Sequence, residues 1–305
     1  MLTVTVAQDG SGDFASIAEA VLAVPYEEEA LVQVGPGIYR EKLVCEKQDI
    51  TLIGAGPDKT CIVWGDGGRL PHPDGRPTHT FRSYTAFFSG ERLRVEDLTI
   101  ENDAGPGAQV GQAVAAYVDS AHAAFVNVRL LGNQDTLFCA PLPEKEREKD
   151  GFLGPRGLAP RRPTAQYYQH CEIAGDIDFI FGGADALFEQ CTIRTVNNHL
   201  PASYVTAPWT TTSPTAMSPP RRAKPTGWAS CSGTAISSRT AAWRAPSFWA
   251  GRGGPPERRP CWTAAWGPTL RRKVFHRGRA APTRTLPALP RRAAPVRARQ
   301  RAAAG

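Results

Sequence analysis

The feature that most constrains the fold of this chain is a four-residue pattern that recurs along it. It occurs at residues 97–100, 127–130, 170–173 and 190–193, and each copy runs from a polar residue to Ile or Leu. Short strands at roughly 20-residue intervals, without helices between them, are typical of a solenoid of strands. In a parallel β-helix successive coils lie about 4.8 Å apart, so equivalent positions of neighbouring copies would touch.

The rest of the first two thirds of the chain fits that architecture. A turn cluster at 9–13 precedes one short amphipathic helix, predicted within residues 14–24. After it, short apolar runs alternate with Gly, Asn and Asp; they span residues 31–34, 50–53, 93–100, 123–131, 167–173 and 186–193. We therefore predict an all-β fold, a parallel β-helix built as a single-stranded solenoid.

The last third differs in composition. Residues 1–210 hold 17 Lys and Arg against 28 Asp and Glu, whereas residues 211–305 hold 19 against one. The tail contains only three Val or Ile, and its Arg, Pro and Ala follow neither strand nor helix periodicity. We predict a β-helix domain over residues 1–210 and a disordered or poorly folded tail over 211–305.

No secretory leader precedes the first strand-like run, and no apolar run approaches the roughly 18 residues of a membrane span. These features predict a cytoplasmic protein without a membrane segment, or an extracellular one if the N-terminus is truncated. Seven cysteines favour buried thiols over a disulfide framework. Cys171 and Cys191 occupy the same slot of successive pattern copies, so they form either a disulfide or a stacked pair of thiols.

Two carboxylates occupy the same phase of the predicted coil. Asp135 and Asp178 are 43 residues apart, but residues 141–163 are charged and rich in Pro and Gly, which indicates an inserted surface loop. Without those 23 residues the separation is 20, one coil. We therefore predict that the two side chains face each other across adjacent strands. Two such carboxylates cannot easily both ionise, which separates them into an acid and a base or nucleophile.

Two glutamines accompany the pair. Gln134 directly precedes Asp135, and Gln112 lies one coil earlier. Glutamine amides can stabilise an oxyanion during acyl transfer, although they also form ladders that stabilise solenoids. Asp176, beside the second aspartate, is interpreted as a supporting or turn carboxylate. Two Asp with two Gln indicate attack on a carbonyl carbon, and we predict no metal and no organic cofactor.

These residues stand in motifs that resemble the pectinesterases (pectin methylesterases). The matching strings run in the order of that family over about residues 4–208: VAQDGSGDF at 6–14, GIYRE at 37–41, QAVA at 112–115, GNQDTL at 132–137 and GDIDFIFG at 175–182. The resemblance implies a right-handed parallel β-helix that removes methyl esters from polygalacturonate.

Carried over by position, the resemblance makes Asp178 the nucleophile and Asp135 the acid that protonates departing methanol and then activates water. Gln112 and Gln134 would hold the oxyanion, and Phe179 would line the sugar groove. The implied partner is methyl-esterified homogalacturonan or its oligogalacturonides, bound by a monomer. No nucleic acid is expected, because the arginines of the tail lack aromatic interleaving or a known motif.

The largest departure from the family is the absence, after residue 208, of the string LGRPW, whose Arg orients the nucleophile and whose Trp stacks on sugar. Residues 247–254 (SFWAGRGG), read one base earlier, can encode VFLGRPWR. We therefore hypothesise a frameshift, real or from sequencing, between about residues 208 and 214. The same region contains the change in composition and charge.

Alternative functions follow from these departures. The chain could be an inactive, frameshifted relic of a pectinesterase, since it lacks the arginine and the last coils. It could also be a non-catalytic pectate-binding protein that uses the basic tail. Hydrolysis of the glycosidic bond would need its own pair of acids around that bond, and the flanking glutamines favour an ester instead.

Overall fold

The computed structural model describes residues 1–208 and three short strands beyond them, Arg222–Ala223, Trp228–Cys231 and Thr234–Ile236. The rest of the predicted tail, and with it the frameshift hypothesis, lies outside the described residues. Among those described, no helix is long and apolar enough to span a membrane.

The described strands and helices follow in chain order. They are β1 (Leu2–Val6), α1 (Ile17–Ala23), β2 (Glu29–Val34), β3 (Gly37–Arg40), β4 (Leu43–Cys45), β5 (Asp49–Ile53), β6 (Thr60–Trp64), a 3-10 turn (Thr80–Arg82), β7 (Ala86–Glu96), β8 (Thr99–Asn102), α2 (Gly107–Val110), β9 (Ala116–Val126), β10 (Arg129–Leu131), β11 (Leu137–Cys139), β12 (Ala165–Gln169), β13 (Glu172–Gly175), β14 (Ile180–Gly182), β15 (Asp185–Glu189), β16 (Cys191–Thr195), β17 (Ser203–Tyr204), β18 (Thr206–Pro208), β19 (Arg222–Ala223), β20 (Trp228–Cys231) and β21 (Thr234–Ile236).

The strands form a parallel β-helix, as the recurring pattern predicts. One sheet follows the order β1-β2-β5-β7-β9-β11-β14-β18, with β4, β12, β15 and β21 branching from it. A second follows β20-β16-β13-β10-β8-β6-β3. Pairing between strands of residues 1–208 is parallel, whereas β19, β20 and β21 pair antiparallel with β17, β16 and β15.

The four copies of the pattern stack in the predicted register. Ile100, Leu130, Ile173 and Ile193 form one ladder across β8, β10, β13 and β16, and all but the last are fully buried. The polar residue that opens each copy has a positive φ of 53–55°: Asp97, Asn127, His170 and Gln190. These residues turn the chain from one sheet into the next, so the apolar runs that the sequence showed as continuous are in fact two strands joined at a left-handed corner.

The helix at the N-terminal end covers the core of the first coils. Ser16 caps α1, and the carboxylate of Glu41 accepts bonds from Ser16 Oγ (2.8 Å), Ile17 N (3.0 Å) and Ala18 N (2.7 Å). A carboxylate at this position satisfies backbone donors that have no partner within the helix. The helix spans Ile17–Ala23, so it is shorter than the predicted span of 14–24.

Cys171 and Cys191 are buried, free thiols. Cys171 Sγ donates to the carbonyls of Phe125 (3.4 Å) and Gln169 (3.3 Å), and Cys191 Sγ donates to those of Tyr168 (3.3 Å) and Glu189 (3.4 Å). Burial raises the pKa of the Cys171 thiol well above its usual range. Of the two alternatives for this pair, the stacked thiols are the one observed.

Candidate active site

The two candidate aspartates lie on adjacent coils, as their spacing predicts. Strands β11 and β14 pair in parallel with Leu137 opposite Ile180, which places Asp135 at the register position of Asp178. The amide of Asp135 donates to the carbonyl of Ile177 at 3.0 Å. Residues 141–163 contain no strand, so they form a loop that leaves the ladder between β11 and β12.

Both aspartates have a left-handed backbone, with φ of 64° at Asp135 and 49° at Asp178. Aspartate tolerates this conformation better than most residues, because its short polar side chain can bond locally. Each aspartate lies two residues before the first residue of a strand, so the two carboxylates leave the coil at equivalent places. The chain therefore repeats one corner on two coils and sets an acidic side chain at each.

The electrostatic environment of Asp135 favours its protonated form. Its side chain is almost completely buried, and burial, followed by the charges of Asp178 and Asp176, raises its pKa well above the usual range of a carboxyl. A hydrogen bond from Gln134 acts in the opposite direction but does not cancel these effects. Asp135 can therefore carry a proton at a pH where ordinary carboxyls are ionised.

Asp178 is less enclosed, since it is only half-buried. Burial raises its pKa as well. Its Oδ1 atom is inaccessible to solvent and has no hydrogen-bond partner among the described residues. A buried carboxylate oxygen without a partner is costly, which fits an oxygen that is kept free for a reaction or for a group from outside residues 1–208.

The two glutamines lie close to the pair along the same stack of coils. The carbonyl of Gln134 accepts a 3.0 Å bond from Ala113, the residue after Gln112. The side chain of Gln134 packs over Gly107 at the start of α2, where a Cβ would approach its Oε1 to 2.4 Å. Both glutamines are half-buried, and the backbone register places Gln112, then Gln134 with Asp135, then Asp178 on three successive coils.

Phe179 does not line this patch, and the prediction that its ring contacts sugar is wrong. The residue is fully buried and packs in the interior core of the β-helix. At the left-handed corner of Asp178 the side chain of Phe179 turns into the interior core. Phe181, two residues later, lies in a separate cluster.

That second cluster, here called the outer aromatic cluster, covers the outer face of β7, β9, β11 and β14. Side chains alternate along a strand, so Tyr117 and Phe138 point outward while Val118 and Leu137 join the interior core. The rings of Tyr117 and Phe138 are 4.6 Å apart, and those of Phe138 and Phe181 are 4.9 Å apart. The cluster thus extends away from the aspartates along the outside of the sheet.

The inserted loop packs on this cluster. Leu142 is buried in it, and the ring of Phe152 lies 6.0 Å from that of Phe81. Arg156 of the loop forms an ion pair with the buried carboxylate of Asp119 on β9. The loop is therefore docked on the outer face of the sheet that contains β9 and β11, although its sequence predicted only a surface excursion.

Asp176 and two asparagines that the sequence did not single out, Asn133 and Asn198, form a polar group beside the two aspartates. Asp176 accepts bonds from Ile177 N at 2.7 Å and from Asn198 Nδ2 at 2.6 Å, which agrees with its interpretation as a supporting carboxylate. Asn198 Nδ2 also donates to Asn133 Oδ1 at 2.8 Å. Asn133 could have been noticed because it lies two residues before Asp135. No periodic signal marks Asn198.

Among residues 1–208 and the three short strands, no group of three or more His, Cys, Asp or Glu side chains is arranged to hold a metal ion. The predicted position of an arginine partner for Asp178, at residues 247–254, lies outside the described residues. The polar side chains that the structure places around Asp135 and Asp178 are carboxylates and amides, groups that can take part in acyl transfer.

Comparison with known proteins agrees with this geometry. A family model for pectinesterases matches residues 3–142 and 161–219, and it leaves out most of the inserted loop. The chain is similar to Pectinesterase 31 of Arabidopsis thaliana, with 34% identity over 199 residues that cover 63% of this chain and 55% of the relative. It thus spans about half the length of that relative.

The chain is also similar in fold to solved structures of pectin methylesterases. A pectin methylesterase from carrot is 30% identical, with a TM-score of 0.55 over 70% of this chain and 59% of that one. A pectin methylesterase in complex with a hexasaccharide is 25% identical, with a TM-score of 0.56 over 68% of this chain and 61% of that one.

Proposed function

This chain belongs to the pectinesterase family, and from that premise we propose that it hydrolyses the methyl esters of polygalacturonate to pectate and methanol. The observation that carries the proposal is the stacking of Asp135 and Asp178 at one register position on adjacent coils. Their unequal environments support different roles for the two carboxyls.

In the proposed first step, the carboxylate of Asp178 attacks the carbonyl carbon of the methyl ester. The carbonyl electrons move onto its oxygen, and amide donors of Gln112 and Gln134 stabilise that oxyanion. The protonated carboxyl of Asp135 gives its proton to the methoxy group, and methanol leaves as the acyl-enzyme forms. The high pKa of Asp135 supports this role, because the acid must hold its proton until the leaving group takes it.

In the second step, ionised Asp135 removes a proton from water, and the resulting hydroxide attacks the acyl-enzyme at the sugar carbonyl. Collapse of the second tetrahedral intermediate frees the galacturonic acid, returns Asp178 as a carboxylate and leaves Asp135 protonated; the product acid then loses its proton to solvent. One water is consumed for each ester. No redox or organic cofactor takes part in this scheme.

The proposed substrate is methyl-esterified homogalacturonan or oligogalacturonides derived from it. A related pectin methylesterase was solved with a hexasaccharide, which supports a binding groove long enough for several sugars. Phe138 and Phe181 of the outer aromatic cluster follow Asp135 and Asp178 by three residues, so the cluster lies on the coils that carry the aspartates. We further propose that the protein acts as a monomer.

One observation favours a second candidate, an inactive relic of a pectinesterase. Asp178 Oδ1 has no hydrogen-bond partner among the described residues, so nothing there orients it as a nucleophile. A relic would keep the fold but lose both catalysis and affinity for pectate, whereas a chain that keeps the affinity alone would be a non-catalytic pectate-binding protein.

Methanol release from methyl-esterified homogalacturonan tests the proposal. We expect release by the unaltered chain and loss of activity by at least about 10³-fold in Asp178→Ala, since removing the nucleophile closes the covalent route. Asp58→Ala is the matched control, because this carboxylate is exposed and pairs only with Arg129 at the surface.

Undiminished release by Asp178→Ala would contradict the mechanism. Release by neither protein, with oligogalacturonide binding retained in titration calorimetry, would instead favour the non-catalytic candidate. Loss of both methanol release and oligogalacturonide binding would favour the relic.

A further inference from the structure

We infer that Asp176 is a positioning residue for the proposed reaction: its carboxylate ties together the two segments that carry Asp135 and Asp178, and it lies close enough to the acid to act on it electrostatically. This inference rests on the proposed function, since it assigns Asp176 a part in preparing that site.

The geometry of Asp176 is unusual for a structural carboxylate. Only 1% of the residue is exposed, yet both carboxylate oxygens and both backbone polar groups are engaged. Oδ1 accepts from Ile177 N and Oδ2 from Asn198 Nδ2, while its own amide donates to Asn133 O at 3.0 Å. Its carbonyl accepts from Tyr204 N at 2.9 Å. Burial with full satisfaction is the condition under which a charged side chain can be retained in a core.

These bonds join three consecutive coils. Asn133 lies two residues before Asp135, and Ile177 lies directly before Asp178. Asn198 comes from the segment after β16 and also bonds to Asn133 Oδ1 at 2.8 Å. A change at Asp176 would therefore act on both aspartates together.

The hydrogen-bonded group of Asp176, Asn133 and Asn198 is here called the clamp. It can fix the backbone of the site, which matters because both aspartates hold a left-handed backbone. Residues in sparsely populated conformations persist only where their surroundings determine them, and this strain clusters at functional sites. The Asp135 amide donates to the carbonyl of Ile177, the residue whose own amide is held by Asp176. The position of Ile177 thus couples the clamp to the acid.

The charge of Asp176 has a second effect. The charged groups that act on Asp135 are Asp178 and Asp176, and both raise its pKa in addition to burial. During the proposed first step Asp178 loses its charge as its carboxylate becomes part of a mixed anhydride. Asp176 takes no part in the bonds that form and break, so its effect on Asp135 does not depend on acylation of the nucleophile.

The test compares Asp176→Asn with a swap variant, Asp176→Asn/Asn198→Asp. The single substitution removes the charge at position 176 and places an amide NH2 group there against the donating NH2 group of Asn198. The swap restores a donor facing an acceptor between the two positions and moves the charge to position 198. We expect Asp176→Asn to lower kcat/KM by ~10²-fold through misplacement of the reacting groups. We expect the swap to recover much of that loss.

The pH profile separates positioning from mere support of the fold. Asp135 must be protonated in the first step, so kcat/KM falls as pH rises through its pKa. Removing the neighbouring charge lowers that pKa, so the alkaline limb of Asp176→Asn should move to lower pH. Asp58→Asn, which removes an exposed carboxylate, should leave the limb in place. If Asp176 only supported the fold, its substitution would lower the unfolding temperature without moving the alkaline limb of the pH profile.

A second measurement does not depend on catalysis. Carbon-13 NMR titration of the Asp135 carboxyl should show a lower midpoint in Asp176→Asn than in the unaltered chain, even if neither releases methanol. An unchanged midpoint in folded Asp176→Asn would overturn the inference. Absence of methanol release by the unaltered chain, with the shifted midpoint present, would count against the proposed function and leave Asp176 in its role. If Asp176→Asn does not fold, Asp176→Ser, which also removes the charge and keeps a hydrogen-bonding group, is titrated instead with the same criterion.

Discussion

At the scale of single residues, Asp135 shows how the site costs stability. A carboxyl that is buried beside two other carboxylates is destabilising when it ionises, and so its pKa is raised in the folded chain. In the unfolded chain the same group ionises in its ordinary range. The folded state therefore binds the extra proton, and folding becomes less favourable as pH rises above the ordinary carboxyl range.

This argument predicts that Asp135→Asn stabilises the protein while it removes the acid. Asparagine keeps the size of the side chain, tolerates the left-handed backbone and cannot ionise. The gain should be absent at a pH below the ordinary carboxyl range and should grow towards neutral pH, where each ~1 kcal/mol raises the unfolding temperature by about 2–4 °C. Thermal unfolding at several pH values measures it.

Asp58→Asn is again the control, and it should give no pH-dependent gain because its carboxylate is exposed. An Asp135→Asn protein that is less stable than the unaltered chain at neutral pH would show that the ionised carboxylate is stabilised by the site, contrary to the environment described above.

At the scale of elements, a buried ion pair joins the inserted loop to the β-helix, in addition to the apolar packing of Leu142 and Phe152. The side chain of Asp119 on β9 is 5% exposed and that of Arg156 is 24% exposed. Burial raises the pKa of Asp119, and the charge and hydrogen bond of Arg156 act to lower it. The carboxylate thus depends on the loop for its partner.

We predict that Arg156→Gln destabilises the protein by about 3 kcal/mol, because it leaves a buried carboxylate unpaired. The double variant Asp119→Asn/Arg156→Gln should recover most of that loss. Urea unfolding measures both, and Arg147→Gln, an exposed arginine of the same loop, is the matched control. Equal stability of Arg156→Gln and the unaltered chain would show that the loop does not depend on this pair.

The same loop shows what local sequence can predict and what it cannot. Its charge, Pro and Gly predict an excursion, and removing it from the count correctly aligns Asp135 with Asp178. The docking of Leu142 and Phe152 on the outer aromatic cluster depends on contacts between distant segments, which leave no periodic pattern. The error at Phe179 has a related cause, because a left-handed corner interrupts the alternation of side chains.

At the scale of the whole molecule, the ladder of coils was predictable because the same four-residue pattern recurs in successive coils. Ile100, Leu130 and Ile173 stack as the pattern requires. The clamp around Asp176 was not predictable, since Asn198 reaches it from the next coil without any motif of its own. The register of a solenoid follows from its repeats, whereas the polar network at one site depends on chemistry that only one coil carries.

The last prediction concerns the end of the chain. The family match stops at residue 219, close to where 19 basic residues and one acidic residue replace an acidic composition. Asp178 Oδ1 meanwhile lacks a hydrogen-bond partner among the described residues. A frameshift between about residues 208 and 214 would explain both, because the alternative frame over residues 247–254 can encode the missing arginine. Resequencing the gene should then reveal an insertion or deletion there.

A chain with the frame restored should release methanol faster than the present one by at least ~10²-fold, because the arginine would supply a charged donor to the nucleophile. The control is the restored chain with that arginine replaced by Gln, which should fall back towards the present chain. An intact reading frame through residue 305, together with equal rates for the two chains, would show instead that Asp178 works without an arginine partner.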